Sequence, residues 1–97
     1  MDINYEKLEY LLGNMDEIIC ELIDHVLSDS EVDPHYSAVY TTNQIKCYIQ
    51  ITNEMGKTLP YNNVEEFFKF NAYTKEEYDL FEALRKKESL YYRGVQY

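Results

Sequence analysis

Ninety-seven residues fit one domain, 1–97, with room for one small core. With 45% apolar residues the chain is globular in composition despite a net charge of −9. That acidity argues against nucleic acid or anionic lipid as a direct partner, and no run approaches the roughly 18 apolar residues of a membrane span.

Residues 3–12 (INYEKLEYLL) place Tyr5, Leu8, Leu11 and Leu12 at helical spacing. Gly13 can stop that helix, and Asn14 followed by Glu17 has the form of a capping pair for the next one. Met15, Ile18, Ile19, Leu22, Ile23, Val26 and Leu27 then form a second apolar stripe. A helical hairpin fits this stretch, and so does a single helix kinked at Gly13-Asn14. SDSEVDP (28–34) carries the polar residues that end it.

The segment YSAVYTTNQIKCYIQIT (36–52) is dense in β-branched and aromatic residues. Ile45, Cys47, Ile49 and Ile51 alternate with Lys46, Tyr48 and Gln50, the pattern of a strand with one wet face. Asn53 and Gly56 then supply the chemistry of a hairpin turn. Strands are predicted near 36–42, 44–52 and 57–61. A helix from Thr42 through Ile45, Tyr48, Ile49 and Thr52 fits the same residues. Asn63 and Glu66 open a short helix, VEEFFKF, and Thr74 with Glu77 opens another. In the last helix Tyr78, Phe81, Leu84 and Tyr91 are expected to face inward, with Gly94 as its stop. The expected fold class is α+β: an N-terminal helical hairpin, a small antiparallel β-sheet and two C-terminal helices. An all-α bundle is the alternative.

Chemistry-bearing motifs are absent. Cys20, Asp24, His25, His35 and Cys47 have no metal-ligand spacing, so the two cysteines read as reduced, buried, structural thiols. No serine lies in a glycine-flanked elbow. MGKT lacks the upstream glycine of a phosphate-binding loop. Neither enzymatic activity nor a cofactor is expected. MDINYEKLEY has no basic start followed by an apolar stretch, which makes a cytoplasmic location the expectation. Eleven tyrosines against four phenylalanines and no tryptophan suit either the rim of a small core or a protein-binding surface.

The charge is unevenly placed. Residues 1–33 hold ten acids and one base, Lys7, whereas residues 34–97 hold eight of each sign. The surplus therefore lies in the first third of the chain. Glu17, Glu21 and Asp24 follow helical spacing on the second predicted helix, as do Asp2, Glu6 and Glu9 on the first. Asp29, Glu31 and Asp33 carry the charge into the following loop. Carboxylates one turn apart repel, so folding gains nothing from this clustering. A merely solvated helix face would carry such charge too. Its concentration points instead to a basic protein partner.

Residues 44–87 (QIKCYIQITNEMGKTLPYNNVEEFFKF…YTKEEYDLFEALRKK) resemble, in order of elements, the small acidic phage anti-CRISPR proteins that mimic nucleic acid. In that family acidic side chains occupy a basic site that reads duplex DNA. The resemblance implies contacts from the C-terminal helices, where Glu76 and Asp79 lie, whereas the charge surplus implies the N-terminal acids. The expected function is a non-enzymatic inhibitor occupying the nucleic-acid-binding site of a host or defence protein, such as a nuclease. An immunity protein against a basic nuclease toxin and a structural or regulatory subunit of a larger assembly are the alternatives.

Overall fold

The structure is a computed structural model that describes residues 4–28, 33–92 and 94–96. Five helices account for nearly all of its regular structure: α1 (Tyr5–Gly13), α2 (Met15–Leu27), α3 (Pro34–Glu54), α4 (Val64–Phe70) and α5 (Lys75–Lys86). Two-residue strands β1 (Tyr91–Tyr92) and β2 (Val95–Gln96) close the chain as a small antiparallel ladder. The fold is all-α, and the sheet expected over 36–61 is not formed.

Helix α3 is the correction with the largest consequence. Asp33 caps it by accepting a hydrogen bond from the His35 N–H at 3.0 Å, and Pro34 occupies the first turn, where a missing N–H costs nothing. Its 21 residues bury Ala38, Thr41, Thr42, Ile45, Tyr48, Ile49 and Thr52, a period of three to four. A strand over 44–52 would have turned Cys47 and Ile51 inward with Ile45 and Ile49. Instead Cys47 is exposed and Ile51 is 38% exposed. The turn signal was real but served another element. Gly56, at φ +80°, ends α3 as its left-handed residue, with Gly56 N–H on the Asn53 carbonyl and Lys57 N–H on the Thr52 carbonyl. Hairpin turns and helix ends ask for the same positive φ, which is why the two look alike in sequence.

The C-terminal helices follow their capping residues. Asn63 accepts from the Glu66 N–H at 2.9 Å to start α4, and Thr74 with Glu77 forms a reciprocal capping box at α5. The chain leaves α4 through Ala72 and α5 through Lys87, both in the left-handed region (φ 66° and 57°). Helix α5 thus stops eight residues before the position expected of Gly94. That glycine lies instead at the turn of the terminal ladder, and Tyr91 is exposed rather than inward.

At the other end, α1 and α2 are separated only by Asn14, which is too short a link for an antiparallel helical hairpin. The joint is a kink. Asn14 does not cap α2 with its side chain. Its Nδ2 donates backward to the Tyr10 carbonyl at 3.0 Å. No residue of α1 is buried, and the molecule measures 50 × 25 × 19 Å.

The core forms where α2, α3, α4 and α5 meet. Ile19 and Ile23 of α2, Ile45 of α3, and Phe67, Phe68 and Phe81 are fully buried together with Tyr61 from the α3–α4 connection. Aromatic rings dominate it. Tyr61 meets Phe67 edge-on at 4.9 Å, and Phe68 lies 4.9–5.2 Å from Phe81, Tyr78 and Tyr73.

Candidate acidic interaction surface

The nine acids singled out from the sequence do not share one environment. Asp2, Asp29 and Glu31 lie outside the described residues. Asp33 is exposed and committed to capping α3. Asp24 accepts a 2.9 Å hydrogen bond from the Tyr73 hydroxyl, which also lies 3.1 Å from the Cys20 carbonyl and so shares its one proton between two acceptors. Glu9 pairs with Lys57 at 3.4 Å, a half-exposed contact of small energetic weight. Glu6, Glu17 and Glu21 remain, exposed and without a cation partner among the described residues.

A tenth acid has a structural task that its sequence position did not reveal. Asp16, half-buried at the start of α2, accepts a hydrogen bond from the Tyr61 hydroxyl. Burial, first, and the adjacent Asp16 carboxylate, second, push the Tyr61 hydroxyl far above the usual tyrosine range. Burial and Asp24 do the same for Tyr73. Two carboxylates of α2 thus fasten that helix to tyrosines in and beside the aromatic core, Asp24 while itself exposed. The sequence signal was available only in retrospect, as an acid on the edge of the apolar stripe.

The C-terminal acids are engaged within their own helices to a greater degree. Glu65 pairs with Lys69 at 3.5 Å, and Glu82 holds Arg85 at 2.6 Å with Lys86 at 3.9 Å. Glu66 and Glu77 accept backbone N–H groups at helix starts. Opposite signs are mixed there, whereas α2 carries four acids and no lysine or arginine.

A cleft of about 500 Å³ opens between α3, the start of α4 and α5, with Lys46, Gln50, Asn63, Tyr78 and Arg85 among its walls. Of its cations Arg85 is paired with Glu82, and its walls hold no serine, cysteine or histidine that could act as a nucleophile or base. No three His, Cys, Asp or Glu side chains converge as metal ligands would among the described residues. Cys20 is partly buried, and burial raises its thiol pKa. Cys47, expected in the interior, is on the surface.

What fold and surface define together is a small all-α fold whose N-terminal helices expose acids, with Glu6, Glu17 and Glu21 lacking a cation partner among the described residues. No protein-family model matches the chain, and comparison with curated proteins and with solved structures finds no relative. No described helix is long and apolar enough to cross a membrane.

Proposed function

We propose that this protein is a non-enzymatic binding protein whose acidic N-terminal face occupies the basic, nucleic-acid-binding surface of another protein, in the manner of a nucleic-acid mimic. The observation that carries it is the contrast between the two ends of the molecule. Helix α2 carries four acids and no lysine or arginine, and Glu6, Glu17 and Glu21 stand exposed without a cation partner among the described residues, while the four acids of α5 share their helix with Lys75, Arg85 and Lys86. Uncompensated carboxylates on one side create a field that steers a basic partner and pairs with the Lys and Arg that otherwise hold phosphate. The anti-CRISPR resemblance rested partly on a sheet over a segment that is helical here. Support for mimicry therefore comes from the charge, and the N-terminal acids take precedence over Glu76 and Asp79.

The test compares wild type with Glu6→Lys/Glu17→Lys/Glu21→Lys and with Glu76→Lys/Asp79→Lys as bait in cell extract. The captured protein is then assayed for binding to a labelled DNA duplex. Wild type and the C-terminal variant should retain a basic nucleic-acid-binding protein, weaken its hold on the duplex, and release it as salt rises. The N-terminal variant should retain none of it. If all three baits behave alike, or the captured protein binds the duplex undiminished, the acidic face is ordinary solvated surface.

A further inference from the structure

The acidic face borders an apolar one. Leu22, His25 and Val26 of α2 and Tyr36, Ser37 and Tyr40 of α3 line a shallow cleft of about 270 Å³ along the seam between the two helices. Tyr36 and Tyr40, one turn apart, are 68% and 56% exposed. The same line on α3 passes the exposed Asn43 and then continues through Cys47 to Ile51, both exposed. On the α2 side, Ile18 lies one turn from Leu22 and is 45% exposed. Two exposed aromatics on one wall of a cleft, with an exposed Ile18 one turn from Leu22 of the other wall, are more than the scattered apolar residues that every surface carries. Glu21, one turn from both Ile18 and His25, rims the strip, and Glu17 lies one turn further.

From this juxtaposition we infer that the α2–α3 seam is a docking groove for a basic amphipathic helix of the partner protein. The inference deepens the acidic-surface proposal and rests on it. Tyr36, Tyr40, Ile18 and Leu22 would receive the apolar face of the incoming helix. Glu21 and Glu17 would meet Lys or Arg along its flank. The line from Tyr36 to Ile51 rises through fifteen residue steps of α3, about 22 Å, which matches four turns of a docked helix. A second copy of this chain is the wrong occupant, because it would set a net charge of −9 against another −9 across the same rim.

The probe is a synthetic Leu/Lys amphipathic helix of about 18 residues with one tryptophan in its apolar face, long enough to span the groove. The chain itself has no tryptophan, so the emission reports the peptide alone. Titration with wild type should give a saturable blue shift. Tyr36→Ala/Tyr40→Ala should weaken binding at least about tenfold, as expected of paired aromatic anchors, whereas Tyr91→Ala, an exposed tyrosine elsewhere, should not. Glu17→Lys/Glu21→Lys should weaken it by a similar factor and flatten its salt dependence. A peptide with Gln in place of Leu should give no shift. Should the tyrosine variant lose helical circular dichroism, Ile18→Lys carries the same comparison. No shift with wild type overturns the groove and leaves the acidic surface to the bait experiment above; equal effects of the Tyr36/Tyr40 and Tyr91 changes also overturn the groove, and a response to Glu17/Glu21 reversal in that case still supports the acidic surface. If the tyrosine change acts and the charge reversal does not, the basic character of the partner is refuted, and the acidic-surface proposal with it.

Discussion

Replacing Tyr61 by Phe removes one oxygen from a buried ring and tests how α2 is fastened to the core. Tyr61 is 1% exposed, and its hydroxyl donates to Asp16 across 45 residues of sequence. A hydrogen bond to a charged group contributes about 1.5–3 kcal/mol, and loss of a partner leaves a desolvated acceptor. Asp16 is only half-buried, so water can reach the freed carboxylate and the cost falls at the lower end, about 1.5 kcal/mol. For a domain of this size that lowers Tm by roughly 6–12 °C. The edge-on contact with Phe67 at 4.9 Å survives in the Phe variant, so the ring's own contribution is not lost. Thermal unfolding followed by circular dichroism measures the change. A double-mutant cycle with Asp16→Ala then isolates the pair, and a coupling of about 1 kcal/mol or more is expected. A shift in Tm under roughly 2 °C, or strictly additive single changes, would show that Asp16 and Tyr61 merely sit near each other.

The helix ends and the tyrosines yield two further expectations. Ala72, at φ 66°, carries a Cβ where α4 needs the left-handed residue that Gly56 supplies for α3. Ala72→Gly should therefore stabilise by about 0.5–1 kcal/mol and Gly56→Ala destabilise by a similar amount, both read from urea midpoints. At alkaline pH, the folded-state Tyr61 hydroxyl ionises far above its unfolded value of 10.0, so the unfolded chain loses its proton first. Stability from this group is complete below about pH 10 and falls above it by about 1.4 kcal/mol per pH unit, and Tyr61→Phe should remove that share of the fall from unfolding curves while Tyr73 keeps its own.

Much of the local structure follows from residues that act within one turn. Asn63 and the Thr74–Glu77 box start α4 and α5 by satisfying N–H groups three residues ahead, a geometry set by side-chain reach alone. Ile19, Ile23 and Val26 form the buried stripe of α2 because their spacing puts them on one face of any helix. Gly56 marks a positive φ whichever element it closes. What the tertiary structure decided is the state of residues 36–54. Ile45 and Ile49 fit both an alternating strand and a helix face, so local preference leaves the choice open. Burial resolves it. As a helix the segment sets Ala38, Thr41, Ile45, Tyr48, Ile49 and Thr52 together against α2, α4 and α5. A strand there would need a paired neighbour, and the flanking segments provide none among the described residues. The acidic surface divides in the same way. Charge density in the first third is written in the chain, but only packing assigns Asp16 and Asp24 to tyrosines of the core and leaves Glu6, Glu17 and Glu21 to solvent, because hydrogen bonds spanning 45 and 49 residues depend on how the helices meet.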